Sequence, residues 1–183
     1  MIAIAYFSGS GAISRSAGLI AEGAAETGLD VELIDVAAMR PGLWDDLRRA
    51  ETIVFGTPTY MGGPAAGFKA FMDATGEDIW VDRTWCDKLA GGFTSGVNTG
   101  GDKLGTLQAL NIFAMQHGMI WVGQDVIGAP VFKENDGLNI SGTFLGLAVN
   151  ASTKGLTKGC ENSALLYGKR LGTATKRWMV RNT

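Results

Sequence analysis

Residue types that can bind a phosphate gather near the start of the chain. Segment 8–15 (SGSGAISR) combines three serines with two glycines, and an apolar run at 2–7 (IAIAYF) comes before it. If the run is a strand and residues 13–27 form a helix, this segment opens the helix, where free N–H groups and a partial positive charge favour an anion. The serine hydroxyls add hydrogen-bond donors, although serine capping of the helix is a simpler alternative. The segment therefore predicts a phosphate-binding loop.

Three other phosphate motifs fit this sequence poorly. No lysine follows the glycines, as a P-loop requires. The dinucleotide pattern G-x-G-x-x-G matches Gly9 and Gly11 but has Ser14 at its third glycine position, which disfavours a dinucleotide-binding dehydrogenase. A phosphatase of the C-x5-R kind is excluded, because no arginine stands six residues after Cys86 or Cys160.

Strand and helix patterns alternate along the chain, which predicts a doubly wound parallel α/β sheet. Short apolar runs suit strands covered on both faces, and residues with apolar side chains at helical spacing lie between them. We expect five strands in the order 2-1-3-4-5, helices on both faces, and one domain over residues 1–183. Segment 123–159 is rich in glycine and turn residues and has no clear period. The predicted strands are 2–7, 30–36, 52–56, 88–94 and 119–122, and the predicted helices are 13–27, 43–50, one opened by Pro64 that includes 67–72, 106–117 and 160–178.

Such a sheet binds ligands beyond the carboxyl ends of its strands, where the strand order reverses. For this order, the place lies between strands 1 and 3, so segment 57–63 (TPTYMGG) faces the phosphate loop. Backbone N–H groups of this segment can reach the polar edge of a flat ring such as isoalloxazine, with Tyr60 against the ring. Tyr60 as an ordinary buried aromatic is the alternative. Segment 94–101 (TSGVNTGG) follows strand 4 and is expected to hold other edges of the ring.

Composition and charge exclude several classes of protein. The net charge is -2 and the basic residues are scattered, so no stripe for nucleic acid is present. The small charge also disfavours a diffusible electron carrier, which usually docks through a strongly charged face. No apolar run reaches the roughly 18 residues of a membrane span. Cys86 and Cys160 form neither a C-x-x-C pair nor a metal-ligand cluster, and we expect reduced thiols in the cytoplasm.

Several segments together resemble the flavodoxin-like NAD(P)H:quinone oxidoreductases of the WrbA type. The similarity covers most of residues 1–123. It implies bound FMN, two-electron reduction by NADH or NADPH, and quinone-like acceptors. It also implies homodimers or homotetramers in which subunits complete one another's sites. The matching segments are 55–60 (FGTPTY), 69–76 (KAFMDATG), 88–90 (KLA), 94–96 (TSG), 98–101 (NTGG) and 117–119 (HGM).

The resemblance also implies the residues of the site. Tyr60 and His117 form the expected catalytic set, although His117 at a helix end also suits interaction with the last helix carbonyls. Trp80 is expected to line the pocket from a neighbouring subunit. Ala12 and Ile13 stand where the family often has His and Thr, which predicts weaker phosphate affinity. A flavodoxin-type carrier or a non-catalytic FMN-binding regulator remains the alternative function. The expected FMN-binding residues are Ser8, Ser10, Gly11, Ala12, Ile13, Pro58, Thr59, Tyr60, Met61, Gly62, Thr94, Ser95, Asn98, Gly100, Gly101 and His117.

Overall fold

The computed structural model describes residues 1–181, so the last two residues of the domain expected over 1–183 lie outside the described residues. No helix in this range is both long and apolar enough to cross a membrane. Short 3-10 turns cover Val36–Ala38 and Lys133–Asn135. The strands are β1 (Ile2–Tyr6), β2 (Val31–Asp35), β3 (Thr52–Tyr60), β4 (Gly63–Pro64), β5 (Leu89–Gly96), β6 (Ile120–Trp121) and β7 (Leu147–Asn150). The helices are α1 (Ala12–Ala25), α2 (Leu43–Arg49), α3 (Ala66–Ala74), α4 (Asp78–Val81), α5 (Lys103–Gln116) and α6 (Lys158–Arg181).

The main sheet is parallel and has the order β2-β1-β3-β5-β6. Two short strands share the fifth position. β6 pairs with the start of β5 at Leu89 and Ala90, and β7 pairs with its end from Phe93 to Gly96. The predicted order 2-1-3-4-5 is confirmed, with the fifth strand divided by the segment between β6 and β7.

The sheet is covered on both faces, and β1 shows why its sequence is apolar throughout. Successive side chains of a strand point to opposite faces. Ala3 and Ala5 enter a core shared with α2, α3 and α5, whereas Ile2 and Ile4 enter a core shared with α1 and α6. The central strands therefore have no polar face, and their carboxyl ends carry the polar residues of the site.

Glycines bring α1 and α6 into close contact. A Cβ added at Gly23 would lie 2.0 Å from the carbonyl oxygen of Leu165, and one added at Gly168 would lie 2.1 Å from that of Ile20. Any larger side chain would separate the helices. This contact holds the second half of α1 against α6, and the same helix begins at the phosphate loop.

Four features differ from the sequence-based expectation. β3 runs on through Thr57–Tyr60, because Thr57 and Pro58 pair with β5, and Thr59 and Tyr60 pair with β4 in an antiparallel hairpin. Pro64 belongs to β4 and does not open a helix, since α3 begins at Ala66. Segment 123–159 contains β7, and the one-turn helix α4 was not predicted.

Candidate functional site

The phosphate loop lies between β1 and α1 and presents an exposed helix N-terminus. Gly11 is the N-cap residue, with a φ of 90°, and it has no side-chain cap. First-turn N–H groups have no partner inside a helix. Ser8 Oγ accepts the N–H of Ser14 at 3.2 Å, so a serine side chain occupies that one amide, although the N-cap residue is Gly11 and not a serine. The first turn contains no acidic residue, so nothing offsets the positive end of the helix dipole.

The Arg15 side chain joins α1 to α6 and does not point into the phosphate loop. Its guanidinium forms a salt bridge of 2.7 Å with Glu161 of α6, and this cation holds the pKa of the Glu161 carboxyl below its usual range. Backbone N–H groups and serine hydroxyls are thus the donors left at the loop.

The second segment forms a tight hairpin beside this loop. Met61 and Gly62 have φ values of 50° and 81°, as a type I′ turn between β3 and β4 requires. Tyr60 is 49% exposed, which rules out the buried-aromatic alternative. Its hydroxyl oxygen lies 2.2 Å from where a Cβ of Gly9 would be, so the ring leans over the phosphate loop.

A chain of threonine hydroxyls locks the ends of β3 and β5 to α5. Thr94 Oγ1 donates to the carbonyl of Thr57 at 2.7 Å and lies 2.8 Å from Thr59 Oγ1. Thr59 Oγ1 lies 2.8 Å from Thr106 Oγ1. Each hydroxyl has one proton, so Thr106 donates to Thr59 and Thr59 donates to Thr94. The hydroxyls of Thr59 and Thr94 therefore hold the ends of β3 and β5 in position.

The third segment is held from below by Lys103, a residue that the sequence analysis missed. Lys103 is fully buried and begins α5. It stands three residues before Thr106 and four before Leu107, so helical spacing places it on the buried face of α5. This spacing is the sequence feature from which its burial could have been predicted. Above it, residues 97–101 are exposed to solvent.

His117 and Trp80 lie at the far end of α5, remote from the three loops of the same chain. α5 starts beside segment 94–101 and ends at Gln116, and its 14 residues span about 20 Å. Trp80 Nε1 donates to the carbonyl of Gln116 at 2.9 Å, and the side chain is 51% exposed. Neither residue contributes to the loops of its own chain.

His117 is packed as a neutral, buried side chain. Its ring lies 4.6 Å from that of Trp85 and 4.9 Å from that of Phe113, between centroids. Thr75 Oγ1 donates to the carbonyl of Met72, so it accepts from His117 Nε2 at 2.9 Å. His117 Nδ1 is then unprotonated, and it has no partner within the described residues. Burial lowers the pKa of His117 to about 4.

The structure thus brings most of the expected site residues to one edge of the sheet and leaves two apart. The residues from the first, second and third loops meet where Tyr60 covers Gly9 and Thr59 binds Thr94. His117 and Trp80 stay predictions that require a second subunit. The residues brought to the common edge are Ser8, Ser10, Gly11, Ala12, Ile13, Pro58, Thr59, Tyr60, Met61, Gly62, Thr94, Ser95, Asn98, Gly100 and Gly101.

The amino-acid sequence matches the family model described as NADPH-dependent FMN reductase over residues 2–133. The chain belongs to this family. It is similar to Flavodoxin FldP of Pseudomonas aeruginosa, at 36% identity over 173 residues that cover 92% of each protein. It is also similar to an NAD(P)H dehydrogenase (quinone) of Geotalea uraniireducens, at 28% identity over 96% of this chain and 98% of that one. The crystal structure of the flavodoxin, WrbA-like protein from Agrobacterium tumefaciens superimposes with a TM-score of 0.75 at 34% identity, covering 96% of this chain and 97% of that one.

Membership of the NADPH-dependent FMN reductase family confirms the prediction of an oxidoreductase flavoenzyme with FMN as cofactor and NAD(P)H as co-substrate. The residues fit such a cofactor. The N-terminus of α1 suits the phosphate, because its N-cap residue Gly11 has no side chain, its first turn has no acidic residue, and Ser8 occupies only the amide of Ser14. The half-exposed Tyr60 and the exposed backbone of 97–101 suit the ring.

Proposed function

We propose that this protein is an NAD(P)H:quinone oxidoreductase in which the reduced nicotinamide and a quinone-like acceptor use one pocket in turn. The observation that supports it most is that three loops come together at a single edge of the sheet, beside the N-terminus of α1, which can bind an anion. When bound, FMN supplies hydride acceptance from NAD(P)H and two-electron donation to the acceptor. The chain contributes binding and orientation.

The protein side of this proposal assigns a role to each loop. The first-turn amides of α1 and the hydroxyls of Ser8 and Ser10 hold the phosphate. The hairpin at Met61 and Gly62 presents backbone N–H groups to the ring edge, and Tyr60 lies against a ring face and excludes water from it. The threonine chain from Thr106 to Thr57 keeps these amides at fixed positions.

We further propose a homodimer or homotetramer in which Trp80 of one subunit lines the pocket of another. Trp80 and Val81 are exposed near the end of α5, and α5 itself exposes Ile112 and Met115. Such apolar surface suits contact between subunits. Light scattering of the purified holoprotein is expected to give a multiple of the 19.3 kDa chain mass, and a monomer would contradict this assembly. The two free cysteines support residence in the reducing cytoplasm.

The test is steady-state kinetics with NADPH or NADH and a soluble quinone. One shared pocket predicts parallel lines in double-reciprocal plots, because the nicotinamide product leaves before the acceptor enters. Intersecting lines would indicate that both substrates bind together and would overturn the shared pocket.

A flavodoxin-type electron carrier is the second candidate, and the likeness to Flavodoxin FldP favours it. Against it stands the net charge of -2, since a carrier usually relies on a strongly charged docking face. Accumulation of the one-electron-reduced flavin during reductive titration would favour the carrier, and its absence would favour the oxidoreductase.

A further inference from the structure

Lys103 places a buried positive charge directly beneath segment 94–101. Its side chain is fully buried. A Cβ added at Gly96 would lie 3.2 Å from Lys103 Cγ and 3.3 Å from its Cδ, so the aliphatic stem packs against the start of the segment. The ammonium therefore lies under the part of the site that we assign to the flavin ring.

The ammonium is bound by neutral oxygen atoms alone. Lys103 Nζ donates to Ser141 Oγ at 3.0 Å, to the carbonyl of Val149 at 3.4 Å and to Asn150 Oδ1. Within residues 1–181 it forms no salt bridge. Burial lowers the pKa of Lys103, which reflects the free energy needed to keep a charge there.

The same hydrogen bonds reach the exposed segment through Thr99. Asn150 Nδ2 donates to Thr99 Oγ1 at 3.3 Å, and Ser141 Oγ donates to the carbonyl of Thr99 at 3.4 Å. Because Lys103 occupies Asn150 Oδ1, it fixes which end of the amide faces Thr99. Hydrogen bonds through Asn150 and through Ser141 thus connect the Lys103 ammonium to segment 94–101.

A buried ammonium without a counter-charge is costly, and replacing buried ions by apolar residues is often neutral or stabilising. Its cost falls when an anion binds nearby, because a charge acts over a longer range in a medium of low dielectric constant. Reduced FMN carries an additional negative charge on its ring when N1 is unprotonated, whereas the oxidised ring is neutral. We propose that Lys103 is the residue that makes this site bind reduced FMN in preference to oxidised FMN. This inference rests on the proposed function.

The test is the midpoint potential of bound FMN in the Lys103→Met holoprotein, together with the dissociation constant of oxidised FMN. Methionine keeps the length of the stem and removes the charge. We expect the preference for reduced FMN to fall about tenfold, which moves the midpoint potential about 30 mV more negative for a two-electron couple.

Lys88→Met is the matched control. Lys88 Nζ is also bound by neutral oxygens, the carbonyls of Arg48 and Ala50, and burial lowers its pKa as well. It precedes β5, whereas Lys103 follows it, so it lies at the opposite edge of the sheet. Its replacement is expected to leave the midpoint potential unchanged.

Asn150→Asp provides a second variant that preserves the packing. The new carboxylate accepts from Lys103 in place of the amide oxygen and neutralises its charge, while the Thr99 hydroxyl can donate to it. We expect the same negative shift of the midpoint potential. An equal change in affinity for both redox forms, or no change in either variant, would overturn the proposal and leave Lys103 as a support for the loop. Failure of the wild-type protein to bind FMN would instead overturn the proposed function.

Discussion

His117 is expected to make the protein sensitive to mild acid. In the folded protein its pKa is about 4, because the ring is buried between Trp85 and Phe113, against an ordinary value of 6.5. Below the ordinary value the unfolded chain takes up a proton that the folded chain does not, so stability is lost as the pH falls from about 6.5 to about 4. Above that window the contribution of His117 to the pH dependence disappears.

The magnitude follows from the two pKa values. Each pH unit between them corresponds to about 1.4 kcal/mol, so the whole window corresponds to about 3 kcal/mol. Between about pH 8 and about pH 5, where other groups titrate less, the loss is about 2 kcal/mol. This is a large part of the 5–15 kcal/mol that is typical of folded domains.

Urea unfolding of wild-type apoprotein and of His117→Gln at the two pH values measures this directly. The carboxylates are common to both proteins, so the difference between their pH responses isolates the imidazole. We expect the wild type to lose about 2 kcal/mol more than the variant. Equal losses would refute the argument, because they would mean that His117 titrates as it does in water and is open to solvent.

Three further substitutions test the site and the sheet. Gly56→Ala places a Cβ 2.1 Å from Phe93 Cζ, and we expect a destabilisation of about 1–3 kcal/mol in urea unfolding. Ser8→Ala leaves the N–H of Ser14 without its acceptor, so we expect about 1 kcal/mol lower stability and weaker FMN binding in a fluorescence titration. Thr59→Val breaks the hydroxyl chain at its centre, and we expect FMN affinity to fall about tenfold.

Two of these have a control variant, and the third has an outcome that would contradict it. Gly18→Ala adds a Cβ that meets nothing within 4 Å in the middle of α1, so it should stabilise the protein by up to about 1 kcal/mol. If Gly56→Ala proved equally harmless, the close packing described for β3 and β5 would be wrong. Thr59→Ser should recover the affinity lost in Thr59→Val. Unchanged affinity in Ser8→Ala would place the phosphate elsewhere.

The fold could be predicted because the central strands are apolar along their whole length. Ile2 to Ala5 must be covered on both faces, and that requirement alone implies helices on two sides of a parallel sheet. The end of β3 escaped prediction because Thr57 to Tyr60 have the composition of a loop. Their pairing makes them a strand, since Thr57 and Pro58 pair with β5, and Thr59 and Tyr60 pair with β4. β7 escaped prediction because four residues inside a glycine-rich segment carry no period.

The candidate site was predicted as a set of loops but not as a set of contacts. Sequence patterns place Thr59 and Thr94 at strand ends, yet they do not reveal that both hydroxyls are used to hold the loops together. Motif similarity placed His117 near the flavin, whereas the length of α5 separates it from the loops of its own chain. Lys103 was not among the predicted residues, since burial of a lysine is rare and depends here on partners distant in the sequence.

The central claim is that this chain binds FMN at the three loops and reduces it with NAD(P)H. The most direct measurement is an anaerobic absorption titration of the FMN-loaded protein with NADPH or NADH, followed by one equivalent of a soluble quinone. We expect the flavin bands to bleach with the nicotinamide and to return on addition of the quinone. Bound flavin that neither nucleotide bleaches, or a protein that binds no FMN, would contradict the account.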